Sequence, residues 1–243
     1  LRYFDNQLAR LGVTVHLNTE INAESLADEK FDEVVLATGI NPRTLTIEGH
    51  DHPKVMSYLD VLRDHKPVGK KVAIVGAGGI GFDVAEFLVE HENLAKDKEK
   101  WLAHWGIDKD YSAPGALKEK ATEPSEREVY LLQRKTSKVG KGLGKTTGWI
   151  HRQSLKHHNV QMINSVSYEK VDDEGLHVLI NDTPKVLPVD NVIVCAGQES
   201  FKPLQQPLEE AGFTVHIIGG ADVAAELDAK RAIRQGAELA ARI

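Results

Sequence analysis

The sequence has a single cysteine, Cys195, in 243 residues. One thiol closes no internal disulfide, builds no cysteine metal cluster and supplies no C-x-x-C redox pair. No apolar run approaches the roughly 20 residues of a membrane-spanning helix, and no basic-then-apolar leader stands at the start. Excess positive charge is lacking too: 30 Lys and Arg, spread along the chain, face 36 Asp and Glu, for a net charge of −6. General affinity for nucleic acid or for a membrane surface is therefore not expected. Nor is there a repeat of solenoid length or a low-complexity tract. What is left is an ordinary globular composition, 41% hydrophobic and 27% charged, read as belonging to a reducing, cytoplasmic setting.

The patterning is that of an α/β protein. "LRYFDNQLARLG" reads as a helix already under way, with Leu1, Phe4, Leu8 and Leu11 on one face and Gly12 as its cap, and the chain is taken as a fragment of something longer. "VTVHLNTEI" (13–21) alternates and predicts a strand. "ADEKFDEVVLATG" predicts an acidic turn and then a buried strand from Glu33 to Ala37, ending at Thr38 and Gly39; "NPRTLTIEGH" follows as a loop and "VMSYLDVLRDH" as a short helix. "KKVAIVGAGGIGFDVAEFLVEH" (70–91) is a buried strand, a glycine turn and a helix running to His91. A polar insertion, Glu92 to Arg127, breaks the rhythm and carries Trp101, Trp105, Pro114 and Pro124. "VYLLQRK" resumes as a strand, with a helix from about Thr147 to His158. Further strands include the hairpin "VSYEKVDDEGLHVLIN" and the buried "VIVCAG"; "TVHIIGG" and a helix from about Asp222 to Ile243 close the chain. Strands alternating with helical stretches predict parallel sheets.

Gly76, Gly78 and Gly81 form G-x-G-x-x-G between that strand and helix. The first allows a tight turn, the second close approach of a pyrophosphate, and the third close helix–strand packing. The helix N-terminus offers free N–H groups and a positive dipole end. An NAD site places an acid at the end of the next strand. Here Arg134 and Lys135 stand there, 53 residues after Gly81 where about 20 is usual, the difference being the insertion. Two cations suit the 2′-phosphate of NADPH; the plainer reading is a solvated surface pair. "GKGLGKTTGW" is one residue short of a P-loop, so a nucleotide hydrolase is not expected. Its Lys141 and Lys145, with Arg152, either support the 2′-phosphate or are solvated. The eleven histidines show no metal spacing, and His157 and His158 are read as a solvated pair. Cys195 is read as a small buried hydrophobe. Trp101 and Trp105 anchor the insertion, on the core or on another part of the protein.

"VVLATGINPR" and "TVHIIGGADVAAELDAKRAIRQG" resemble signature segments of flavoproteins that bind FAD and NAD(P)H in paired Rossmann-like domains, the second domain being inserted into the first. "DHPKVMSYLDVLRDHKPVGKKVAIVGAGGIGFDVAEFL", "LLQRKTSKVGKGLGKTTGWIHR" and "GGADVAAELDAKRAI" are similar to the C-terminal half of the bacterial NADPH-dependent 2,4-dienoyl-CoA reductases, and the similarity is weakest in the insertion. The resemblance implies a partial FAD-binding domain (1–69 and 200–243) holding an inserted NADPH-binding domain (70–199). It implies an N-terminal barrel, absent here, with FMN and a 4Fe–4S cluster, and electrons passing from NADPH to FAD, cluster, FMN and substrate. It places Thr38 and Gly39 near FAD. Gly220 and Asp222 correspond to the family's Gly-Asp pair, although Ala221 intervenes, and Asp222 would accept hydrogen bonds from the ribityl hydroxyls; otherwise Asp222 is a helix N-cap. Asp83 matches an acid near nicotinamide and flavin, or else favours the helix dipole as a first-turn acid. Two alternatives stay open: the reductase part of a barrel flavoprotein acting on a different enoate, amine or enone, and a non-catalytic NADP(H)-binding sensor.

Overall fold

"KVAIV" is apolar at nearly every position, which is the pattern of a strand covered on both faces rather than one. In the structure, a computed structural model, it is the central strand of a five-stranded parallel sheet. The structure describes residues 1–27, 31–90, 94–122, 125–225 and 228–243. His91, Glu92 and Pro124, named above, lie outside the described residues, as does part of the acidic turn before Phe31. The chain runs α1 (Arg2–Arg10), α2 (Ala23–Ala27), β1 (Val34–Leu36), β2 (Ile40–Pro42), β3 (Val55–Ser57), α3 (Tyr58–Leu62), β4 (Lys71–Val75) and α4 (Gly79–Val89). Then come α5 (Lys98–Trp105), β5 (Glu128–Leu132), α6 (Gly148–His157), β6 (Gln161–Ile163), β7 (Val166–Asp172), β8 (Gly175–Ile180) and β9 (Thr183–Leu187). β10 (Asn191–Val194), β11 (Gln198–Ser200), α7 (Gln205–Glu210), β12 (Val215–Ile217) and α8 (Ala229–Ala240) complete it. No described helix is long and apolar enough to cross a membrane.

The chain divides into two compact units, one of residues 1–41 with 199–243 and one of residues 42–198. Residues 42–69, expected with the first segment, therefore lie in the second unit. The reason is β3, which pairs in parallel with β10 and so extends the sheet of β4. "VMSYLDVLRDH" is thus not all helix: Val55–Ser57 is a strand, and α3 starts only where Ser57 and Asp60 form a reciprocal capping box.

In the second unit the parallel sheet runs β3-β10-β4-β5-β6. Its alternate residues face different layers. Val72 and Ile74 pack with Phe82, Val84 and Leu155 of α4 and α6. Ala73 and Val75 pack with Val171, Leu176, Val178 and Leu187 of an antiparallel sheet, β7-β8-β9. Each of these large side chains stabilises the unit by about 1.5–3 kcal/mol through burial. The insertion carries an unforeseen helix, α5, capped by Asp97 and ended by Gly106 at φ 66°. Trp105 docks it: its ring lies 6.3 Å from Trp149 and 5.3 Å from His157, while Trp101 is exposed. His157 and His158 are not a solvated pair, His157 being half-buried. His158 is buried, and Nδ1 of His157 lies 3.2 Å from Nε2 of the buried His104. Burial, joined by nearby Lys120, lowers the pKa of His157 to about 4, and burial likewise lowers that of His104.

In the first unit β1 and β12 form a two-stranded parallel sheet. Only Leu36 of β1 is buried, against the expected buried strand 33–37. The expected strand 13–21 is absent: alternation alone makes no strand, and among the described residues no neighbour offers it a ladder. α1 forms as expected and ends in a Schellman turn, Gly12 at φ 68° donating to Ala9 and Val13 to Leu8, yet it has no buried residue. α8 begins at Ala229, not near Asp222, because its N-cap is Asp228, whose carboxylate accepts from the Arg231 N–H at 2.6 Å.

Candidate functional site

The three fingerprint glycines are glycine for three different reasons. Gly76 follows β4 directly at φ 110°, and a Cβ there would overlap the carbonyl of Cys195. Gly81, in the first turn of α4, would overlap the carbonyl of Gly76, so the helix is pressed onto the strand. Gly78 is under neither constraint. Its φ is −83°, and a Cβ would meet nothing within 4 Å. The fold does not require glycine there, but a bulky group approaching the backbone from outside would. Gly78 is also the N-cap of α4, and no side chain caps it. The first-turn N–H groups thus keep their hydrogen-bonding capacity at the positive end of the dipole.

Gly76 and Gly78 open onto a cleft of about 750 Å³, which the buried Gly81 does not line. Gly76 and Gly78 form its floor, and Arg134, Lys135 and Lys141 line it, together with Gln133, Tyr168 and Cys195. The sequence thus brings together Gly76, Gly78, Arg134 and Lys135. The loop bearing the two cations is folded back and pinned. The Gln133 side-chain amide donates to the carbonyls of Lys135 at 3.0 Å and Ser137 at 2.7 Å, and Asn164 donates to that of Thr136 at 2.7 Å. Arg134 and Lys135 are exposed, and among the described residues neither has an ion-pair partner. Lys145 does not line the cleft, and Arg152 is a strut, donating to the Gly140 carbonyl at 2.9 Å.

Asp83 is the fifth residue of α4, so it is not the first-turn acid of the plainer reading. It is exposed and close enough to act on Cys195, whose thiol is pushed up to about 12, by burial first and by Asp83 second. Cys195 is half-buried on the cleft wall rather than sunk in the core, and it is a protonated thiol, not a nucleophile.

In the first unit Thr38, Gly39, Gly220 and Asp222 come from two adjacent loops. The Thr38 hydroxyl donates to the Phe201 carbonyl, and the Phe201 N–H donates to the Gly39 carbonyl at 3.0 Å. Gly39 has φ 81°, and a Cβ on Gly220 would press on Ile40 and on the Gly39 backbone. Gln235 of α8 donates to Asp222 at 2.8 Å and accepts from the Gly219 N–H at 2.8 Å, fixing the loop. Asp222 is exposed and is not the N-cap of α8.

Gln133 and Tyr168 were missed. The amide of Gln133 had no motif to announce it, and Tyr168 was read only as a strand residue. At the β7–β8 turn, Asp172, Glu174 and His177 bring ligand atoms within 4.8 Å of one another, but Lys170 already sits 2.7 Å from Asp172.

Among known proteins of similar sequence are reductases about three times as long as this chain. The chain is 30% identical over 233 residues to a metal reductase of Desulforamulus reducens, covering 90% of this chain and 32% of that protein. It is 28% identical over 222 residues to a cinnamate reductase of Clostridium sporogenes, covering 91% and 28%. It thus spans about a third of the length of the curated relatives it matches. A 2-naphthoyl-CoA reductase in complex with 2-naphthoyl-CoA shares the fold, with a TM-score of 0.74 at 23% identity over 100% of this chain and 31% of that one. With its fingerprint turn, its parallel sheet and its match over residues 4–231, the chain belongs to the pyridine nucleotide-disulphide oxidoreductase family, flavoprotein oxidoreductases that bind FAD and NAD(P)H.

Proposed function

We propose that this chain is the hydride-entry part of a flavoprotein reductase, in which the second unit binds NADPH and the first contributes to an FAD site. The observation that carries the reading is the cleft itself: an open Gly78 on one side and a pinned, acid-free pair of cations on the other. NADPH supplies a hydride and FAD accepts it, so no protein nucleophile is needed. The residues bind and orient. The first-turn N–H groups of α4 and the bare backbone at Gly78 take the pyrophosphate. Arg134 and Lys135, with Lys141 beside them, take the 2′-phosphate by charge-assisted hydrogen bonds. Because the Gln133 amide holds their loop, little backbone freedom is lost on binding. By the family resemblance Asp83 belongs near the nicotinamide end, and it adds to the burial that keeps the Cys195 thiol protonated. In the first unit, Thr38, Gly39 and Gly220 shape the flavin loops, and the Asp222 carboxylate accepts from ribityl hydroxyls.

For the whole protein we propose reduction of a conjugated double bond, with a 2,4-dienoyl-CoA as substrate, in an FMN- and 4Fe–4S-bearing barrel outside this chain. The sequence resemblance and the chain's one-third share of its relatives' length support that reading. The similarity to a cinnamate reductase favours a second one, an enoate acceptor without coenzyme A.

The test is the pair of dissociation constants for NADPH and NADH, read by nicotinamide fluorescence on the wild-type chain and on Arg134→Glu. Wild type is expected to prefer NADPH. Arg134→Glu is expected to raise the NADPH constant about a hundredfold, the scale of a lost charged hydrogen bond plus repulsion, and to leave the NADH constant nearly unchanged. Equal changes for both coenzymes would refute the 2′-phosphate role.

A further inference from the structure

We infer that Tyr168 is a specificity residue of this cleft, its hydroxyl donating a hydrogen bond to the coenzyme phosphate that Arg134 faces. The inference rests on the dinucleotide reading and carries it to a residue of the antiparallel sheet, outside the Rossmann-like elements.

Three observations converge on this side chain. Tyr168 lines the same cleft as Gly76, Gly78 and Arg134, although it comes from β7. Immediately after it the β7–β8 ladder slips. Tyr168 pairs with Val178 and Lys170 with His177, so Glu169 is an extra residue. Such a bulge bends a strand and re-aims the neighbouring side chain, and bulges concentrate beside functional sites. Lastly, among the described residues the phenol has no hydrogen-bond partner, although buried tyrosine hydroxyls usually find one. The oxygen is not sealed in the core either, since no buried side-chain polar atom is left unsatisfied. The residue that carries this accessible oxygen lines the cleft.

The ring is committed to packing, because it rests against the cluster of Val171, Leu176 and Val178. What Tyr168 offers a ligand is therefore its polar end. Arg134 is the charged group close enough to act on that phenol. Burial holds the phenol well above the ordinary tyrosine range, so it remains a protonated donor at any pH the protein works at. A phosphate dianion placed at Arg134 gains a neutral donor from Tyr168 nearby, and a ribose hydroxyl in the same place gains far less from it.

Tyr168→Phe removes the hydroxyl and keeps the packing. The probes are 2′,5′-ADP and 5′-AMP, which differ by the phosphate in question, titrated calorimetrically into wild type and variant. The variant is expected to bind 2′,5′-ADP about tenfold more weakly, the lower end of a hydrogen bond to a charged group, and to bind 5′-AMP as wild type does. If wild type prefers 2′,5′-ADP and the variant keeps the whole preference, the role of Tyr168 is wrong while the phosphate reading stands. If wild type itself shows no preference, the phosphate reading falls and takes this inference with it. Unchanged thermal unfolding of the variant excludes a general loss of structure.

Discussion

The two units spend their apolar residues differently. In the second, Val72, Ala73, Ile74 and Val75 are fully buried, and both faces of the sheet are covered. In the first, α1 and α8 have clear apolar faces and no buried residue: Phe4 is 55% exposed and Ile233 59%. Their helices owe their form to local devices, a Schellman turn on α1 and the Asp228 cap on α8, rather than to burial. The difference teaches that this chain's cohesion, and with it the geometry of the glycine-turn cleft, resides in residues 42–198. A helix can be well capped and still contribute little to stability if its apolar side meets only water.

The most direct way to break that comparison is to delete matched side chains. Leu131→Ala, in the buried β5, is expected to lower the unfolding free energy by about 2–5 kcal/mol. Leu8→Ala, on α1, should change it by less than about 0.5 kcal/mol. Urea titration followed by circular dichroism checks both, and comparable losses would overturn the contrast. The glycines sharpen it further. Gly81→Ala drives a methyl into the Gly76 carbonyl and should cost about 1–3 kcal/mol of stability. Gly78→Ala should leave the melting temperature nearly unchanged and weaken NADPH binding severalfold, because the space it fills is the ligand's. A smaller effect concerns the docked α5. His157 is held neutral in the fold, with a pKa lowered from 6.5 to about 4. Its contribution is intact above pH 6.5 and is lost as pH falls from there toward 4. Tryptophan emission should shift to the red over that interval, since Trp105 touches His157, and His157→Gln should flatten the response.

Much of the second unit was legible in the sequence. Buried parallel strands need unbroken apolar runs, so "KVAIV", "VYLL" and "NVIV" announce themselves, and the glycine turn between β4 and α4 is constrained by backbone overlap. β3 was hidden because three residues before a capping box are too few to show a period. The strand expected at 13–21 failed because pairing is a property of two segments and alternation of one. α8 was started too early because Asp222 and Asp228 are both plausible caps in sequence, and only hydrogen bonding chooses between them. That Gly76, Gly78, Arg134 and Lys135 share one cleft was legible because two parallel neighbouring strands, β4 and β5, end beside each other. Lys145 was not distinguishable from Lys141, since loop lysines four apart look alike until the loop is folded. Tyr168 escaped because it reaches the cleft through a bulge, and a bulge leaves no mark in the composition of its strand. The pairing of His157 and His158 with His104 was hidden because His104 comes from the insertion.

The Arg43 N–H donates to the Gly197 carbonyl at 3.1 Å, so residues 42–198 begin and end side by side. A segment whose two ends meet can be spliced into a loop of a host, or lifted out and closed with a short link, without stretching either partner. A laboratory graft of residues 42–198 would start from that pair of neighbouring residues and from the pairing of β2 with β11 beside it.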